Sequence, residues 1–253
     1  MRKTLLLLAT LLLPGFASAT TLIAGCGNSI PPYVLPQNDR GMALDVLRHA
    51  LATQGYQLDF SYDSNANNVK AFNAGKIDIT CISNSATSPD AYFSAQPLMV
   101  LHNMAISLAE NGSGLASIND LSNYRVIGFN LAHKFLPAPY ADAVSKSPEY
   151  KEEAEQIKQV EALFRGTTDV IVMDQTVFRY FLSKLRRSNP SDSSLRREYR
   201  YSNLFQPTYY YASFHSAAIR DAFDDGLKIL KDSGDYEKLM AGYDKMLADY
   251  LFR

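Results

Sequence analysis

The feature that most constrains the fold is a strand–turn–helix grammar that recurs at wide spacing. Thr21-Leu22-Ile23-Ala24-Gly25-Cys26 runs into Pro31-Pro32-Tyr33 and then into an amphipathic stretch that stops at Gly55. Further on comes Gly75-Lys76-Ile77-Asp78-Ile79-Thr80, and much later Arg165-Gly166-Thr167-Thr168-Asp169-Val170-Ile171-Val172-Met173-Asp174 echoes that element. Two βα units of one grammar, far apart in the chain, imply two similar α/β lobes. The gap between two lobes is a place to hold a small molecule.

The amino terminus reads as a secretory signal. Met1-Arg2-Lys3 carries positive charge, residues 5–16 form an apolar run, and Ala17-Ser18-Ala19 supplies an A-x-A cleavage pattern. Cleavage after Ala19 leaves residues 20–253 and an expected periplasmic location. The apolar run is too short to span a bilayer, which takes about 20 residues. A competing reading takes Leu22-Ile23-Ala24-Gly25-Cys26 as a lipoprotein box with Cys26 lipidated, but it discards residues that make a good strand.

A net charge of −1 and a pI near 6.4 give no basic excess for nucleic acid. Only two cysteines are present, Cys26 and Cys81, both near strand ends facing one edge. A disulfide and two buried thiols both remain open, because geometry decides between them.

Along the chain, Ala43, Val46, Leu47, Ala50 and Leu51 mark one helical face, and Tyr56, Leu58, Phe60 and Tyr62 alternate as in a strand. A short helix is expected over Val69 to Asn73, a strand over Ile77 to Ile82, and extended chain over Met99 to Leu108. Asn111-Gly112-Ser113-Gly114 reads as a turn. Val126 to Phe129 is a buried strand, and Pro137 and Pro139 interrupt any helix begun after Asn130. Lys151 to Phe164 is expected to be helical. Val170 to Met173 is apolar on both faces, as a central parallel strand is. Phe178, Phe181, Leu182 and Leu185 mark another helix, Tyr209 to Phe214 a strand, and two helices broken at Asp232-Ser233-Gly234 close the chain.

The ordered set of these features resembles a known family. Pro31-Pro32-Tyr33, Asp45 near a helix start, Gly75-Lys76-Ile77-Asp78, Ala86-Thr87-Ser88-Pro89, Phe93-Ser94 with Pro97, Leu121-Ser122-Asn123-Tyr124, Gly166 with Asp169 and Asp174, and Asp235-Tyr236-Glu237-Lys238-Leu239 follow in order. The set is similar to family 3 of the bacterial extracellular solute-binding proteins, the polar-amino-acid binders of ABC transporters, over the whole mature chain. The resemblance implies a periplasmic binding protein type II fold: two α/β lobes joined by two hinge strands, here about His102 to Ala109 and about Tyr209 to Phe214. The first lobe would take residues 20–105 and 210–253, and the second 106–209. The resemblance further implies a small polar ligand, amino-acid-like or an amine, gripped between the lobes. The closed form would dock on an ABC permease or a membrane sensor. A monomer without cofactor or metal is expected.

Residue by residue, Asp174 matches the position that holds a ligand α-amino group; its alternative role is the N-cap of the helix that follows. Ser83, Ser85 and Thr87 match contacts of the first-lobe loop, or else satisfy that loop's own backbone. Tyr33 either lines the cleft or packs on the sheet edge. Asn130 and His133 follow a strand end, where open α/β sheets bind ligands. Three departures stand out. The ligand-carboxylate clamp of the family is an Arg shortly after the loop Thr, but Thr87 is followed by Ser88-Pro89-Asp90-Ala91, and no Arg stands between Thr87 and Arg125. The stacking aromatic before the Pro pair is Ile30. The Gly-Thr-Thr helix opening is Asn130-Leu131-Ala132. Without the Arg, a ligand carboxylate would meet Asp174 unpaired, so a cationic or neutral ligand suits the site better.

Two rival functions remain. An enzyme of the same fold, similar to cyclohexadienyl dehydratase, needs an acid or base among Asp174, His133 and Asp90. A stand-alone sensory module with a degenerate cleft needs none. His49, His102, His133 and His215 show no metal spacing, and no Gly-x-Ser-x-Gly turn presents a nucleophile. Lys184, Arg186, Arg187, Arg196, Arg197 and Arg200 read as a solvated face or a membrane-partner contact.

Overall fold

The computed structural model describes residues 20–111 and 115–251. The expected signal peptide and Gly112-Ser113-Gly114 of the expected turn lie outside these residues. In chain order the strands are β1 (Thr20–Gly27), β2 (Tyr56–Asp63), β3 (Ile79–Ser83), β4 (Tyr92–Phe93), β5 (Met99–Leu101), β6 (Asn103–Leu108), β7 (Val126–Phe129), β8 (Tyr150–Glu153), β9 (Val170–Asp174), β10 (Tyr199–Ser202) and β11 (Thr208–Phe214). The helices are α1 (Met42–Ala52), α2 (Asn65–Asn73), α3 (Ala132–Phe135), α4 (Ala138–Val144), α5 (Gln156–Arg165), α6 (Gln175–Ser188), α7 (Ala217–Asp232) and α8 (Asp235–Leu251).

These elements form two sheets. The first runs β2-β1-β3-β11-β4, with β5 added beside β11, and the second runs β10-β6-β9-β7-β8. In each, βα crossovers join parallel strands: β1 pairs with β2 and β3, and β7 with β8 and β9. In each, one strand arriving from the other half pairs antiparallel: β11 against β3, and β6 against β9. The chain therefore has two α/β lobes of like design.

The crossings fall between strands rather than along them. β5 belongs to the first sheet and β6 to the second, so the first passage is at His102; the second lies between Ser202 and Thr208. The continuous extended run expected over Met99 to Leu108 is thus two strands that serve different lobes. The crossing strands expected over His102 to Ala109 and Tyr209 to Phe214 each sit within a single sheet.

Central strands are apolar on both faces because each is covered twice. In β9, Val170 and Val172 join the main core, while Ile171 and Met173 join a second core with Phe164, Phe178 and Leu182 under α5 and α6. Asp174 caps α6, Ser64 caps α2 and Ser216 caps α7, each accepting a backbone N–H of the first turn. The α1 and α7 helices cross closely at Gly226, where a Cβ would stand 2.0 Å from the Ala50 carbonyl oxygen. Pro137 ends the first-turn piece α3 and begins α4, as the two prolines predict.

Three expected boundaries move. The strand expected from Ile77 begins at Ile79, after a bend over Lys76 to Asp78. The α2 helix begins at Asn65, not Val69, because Ser64 caps it. Lys151 to Glu153 is not helix: Tyr150–Glu153 is a sheet-edge strand parallel to β7, and α5 starts only at Gln156. Cys26 and Cys81 lie on adjacent parallel strands, with Cα atoms 5.0 Å apart, and are joined as a disulfide.

Candidate functional site

Polar side chains from both lobes converge where the two sheets present strand ends to each other. A cavity of about 10 Å³ occupies this seam. Its apolar walls are Ile30, Ile82, Leu101, Phe129, Val177 and Tyr210; its polar groups are Asn65, Asn103, Gln156 and Asp174.

Asp174 ends β9 and is almost fully buried. Its Oδ1 accepts the N–H groups of Thr176 at 2.8 Å and Val177 at 3.0 Å, and its Oδ2 accepts the His102 N–H at 2.8 Å. The N-cap role is therefore filled, and the same carboxylate ties the first crossing to the second lobe. Burial raises its pKa and the three N–H donors pull it down, with burial the larger effect. All three of these donors are backbone groups, and the nearby His102 adds a smaller attraction that also favours the charged form.

Tyr33 packs against both cores and its hydroxyl meets Thr176; burial pushes its pKa up and Asp174 adds to that. Asn103 sits opposite Asp174 in the β6–β9 ladder and bonds the Thr208 hydroxyl at 3.0 Å, pinning the two crossings together.

The lobes also exchange helix caps. From the first lobe, Ser29 Oγ accepts the Gln156 N–H at 2.7 Å at the start of α5, and the Ser29 carbonyl accepts the Gln156 side-chain amide at 2.9 Å. From the second lobe, Asn130 Oδ1 accepts the Ala66 N–H at 2.9 Å at the start of α2, and its carbonyl accepts the Asn65 amide at 3.3 Å. Each lobe thus satisfies an orphan N–H group of the other.

The remaining predicted residues lie elsewhere. Ser83 is buried in the first sheet with its hydroxyl on Ser213. Thr87 folds back on Asn84, its Oγ1 accepting the Asn84 N–H at 3.0 Å. Ser85 is exposed at the same loop. None of the three lines the cavity.

At the Asn130-Leu131-Ala132 opening, the chain supplies its own anion. Glu152 accepts the Leu131 N–H at 2.7 Å and the His133 N–H at 3.0 Å, with the His133 ring at 2.7 Å and the Tyr150 hydroxyl at 2.8 Å. His133 and Asp90 do not line the cavity, so of the three acid–base candidates only Asp174 does.

Gln156, Asn65, Asn103 and Ser29 were not singled out in the sequence. The available signals were weak: Asn65 follows a Ser cap, and Asn103 adjoins the crossing. Among the described residues no cluster of three His, Cys, Asp or Glu side chains is arranged to hold a metal ion, and no helix is long and apolar enough to cross a membrane.

No family model and no curated protein matches the chain. Solved structures do. An amino acid ABC transporter substrate-binding protein from Streptococcus pneumoniae, bound to L-arginine, superposes with a TM-score of 0.68 at 20% identity, over 90% of this chain and 95% of that one. A histidine kinase sensor domain with similarity to periplasmic binding proteins gives 0.73 at 17% identity, over 89% and 96%. An ancestral amino acid-binding protein, a precursor of cyclohexadienyl dehydratase, gives 0.66 at 17%, over 91% and 95%. The fold is that of a type II periplasmic binding protein, two α/β lobes with an interlobe seam. The expectation drawn from the resemblance holds at the level of fold.

Proposed function

We propose that the chain is a two-lobe binding protein that grips a small polar molecule carrying an ammonium group in the seam, without turnover, and presents the closed form to a membrane partner for uptake or sensing. One observation carries the reading: Asp174 is a buried carboxylate at the seam cavity whose bonds all come from backbone N–H groups. Three donors leave one of its roughly four acceptor positions for a ligand cation. A cation there relieves the cost of the buried charge. The neighbouring amides of Asn65, Asn103 and Gln156 supply orientation, and the apolar walls exclude water. The Arg that would clamp a ligand carboxylate is absent, so an amine suits the seam better than an acid. The lobes, residues 20–102 with 203–251 and residues 103–202, move as units about the two crossings.

A cavity of about 10 Å³ has room for one water at most, far below the several hundred Å³ usual for a ligand site. The lobes therefore part to admit a guest. That tightness also favours a second reading, a sensory module whose closure needs no ligand because its own caps latch it.

Melting temperature measured against monoamines, diamines, basic amino acids and dicarboxylates separates the readings. A saturable rise with an ammonium ligand, and recovery of that ligand unchanged, is the expected result. A rise with dicarboxylates alone overturns the amine assignment; silence across the whole set favours the self-latched module; consumption of the ligand reveals an enzyme.

A further inference from the structure

A second concavity, of about 410 Å³, also bridges the two lobes but is separate from the cavity at Asp174 and has no part in the reading above. One wall is the loop between β1 and α1, with Val34 and Leu35; the other is α6, with Tyr180, Phe181 and Lys184; Met246 of α8 closes one side. The wall of α8 is firmly held. Tyr243, one turn before Met246, donates its hydroxyl to the buried Asp45 carboxylate at 2.6 Å and accepts the Gly41 N–H at 2.8 Å. Asp45 is in turn paired with Arg40 and Arg48. On the other side the Tyr180 and Phe181 rings stand edge to face, 5.8 Å apart.

The chemistry of the lining is one-sided. Its body is mostly aliphatic and aromatic, with the amides Asn28, Gln37 and Asn38 at its edge; among the described residues no acidic side chain lines it and Lys184 is the one charged group. Lys184 is exposed and, among the described residues, has no hydrogen-bond or ion-pair partner. The volume falls within the range of small-molecule sites. We propose that this groove is a second ligand site, taking a small carboxylate with an aromatic or aliphatic body, its ring between Leu35 and Phe181 and its carboxylate on Lys184.

The groove has a built-in coupling. Leu35 belongs to the first lobe and Phe181 to the second, so parting the lobes takes its walls apart. A ligand that touches both walls favours the closed form, and by linkage a seam ligand tightens the groove by the same factor. The groove is thus an effector site for closure.

The test uses the full chain with methyl-labelled methionine, and phenylacetate as probe beside its neutral isostere phenylacetamide. Phenylacetate is expected to shift the Met246 methyl resonance saturably, and phenylacetamide to bind about fivefold more weakly, the worth of one exposed ion pair. Lys184→Gln, at an exposed position that leaves the core untouched, is expected to make the two probes equal. An unmoved Met246 resonance at millimolar phenylacetate overturns the site. A preference for phenylacetate that survives in K184Q overturns the assignment of Lys184 and of the carboxylate class.

Discussion

Asp174 sets two requirements at once, an acceptor for the first turn of α6 and an acceptor for the crossing at His102. Asp174→Asn keeps one carbonyl oxygen but aims an amide N–H at a backbone N–H, leaving at least one buried donor unmet. The expected loss is about 1–3 kcal/mol in urea unfolding. A second carboxylate behaves differently because it has a cation. Asp169 receives the Arg125 guanidinium at 2.7 and 3.0 Å and the Arg125 N–H at 2.9 Å, and these bonds hold its carboxyl below the usual carboxylate range. A depressed native pKa contributes stability that is complete above the unfolded-state value of about 3.9, and that contribution is lost as pH falls through the native value. Both side chains are partly exposed, so Asp169→Asn is expected to cost no more than about 1 kcal/mol at neutral pH. The gap between the two proteins closes as pH falls through the depressed native value. A gap that widens on acidification refutes the assignment. At this scale the sequence made Asp174 legible as a cap, because Asp before a helical face is a local pattern. It did not reveal that the second oxygen reaches His102, which is 72 residues away.

The helices and central strands were legible for the same local reason. α6, α7 and β9 carry their periodicity and caps within a few residues, and their burial follows it. The helix expected from Lys151 takes in the last three residues of β8 because this strand lies at a sheet edge, with no alternation to betray it; its identity comes from pairing with β7 and from Glu152 reaching the Leu131 and His133 N–H groups. The tie between β1 and β3 was left open in the sequence and is closed by register: Ala24 pairs with Ile79 and Gly25 with Thr80, which brings Cys26 beside Cys81. The loop so closed spans 55 residues of chain. In the loop-entropy picture its loss costs about 4 kcal/mol. The Cys26→Ser/Cys81→Ser double variant is therefore expected to unfold at a much lower denaturant midpoint than the oxidised parent, and the parent under strong reductant to approach it. Equal midpoints with and without reductant would show that the bond constrains nothing.

At the scale of the molecule the seam is built from pairs that no local pattern announces: Ser29 with Gln156, 127 residues apart, and Asn130 with Ala66, 64 apart. Their energetics are specific to closure. When the lobes part, water replaces each cross-lobe bond, so each is worth about 0.5–1.5 kcal/mol to the closed state and little to the stability of either lobe. Ser29→Ala with Asn130→Ala removes one cap from each side, about 2 kcal/mol together, which moves the closed-to-open ratio about 30-fold toward open. The two cores are untouched, since neither residue belongs to them. The expected outcome is a double variant with a larger radius of gyration by X-ray scattering and a melting temperature near the parent's. A seam ligand restores the compact value, because it binds the closed form preferentially and draws the population back. Reversal of that pattern, with lowered melting temperature and unchanged dimensions, would mean that the caps hold the lobes' interiors and not their closure. The Ser29 and Asn130 side chains would then be structural, and closure would rest on the remaining cross-lobe contacts, the Gln156 and Asn65 amides on the Ser29 and Asn130 carbonyls among them.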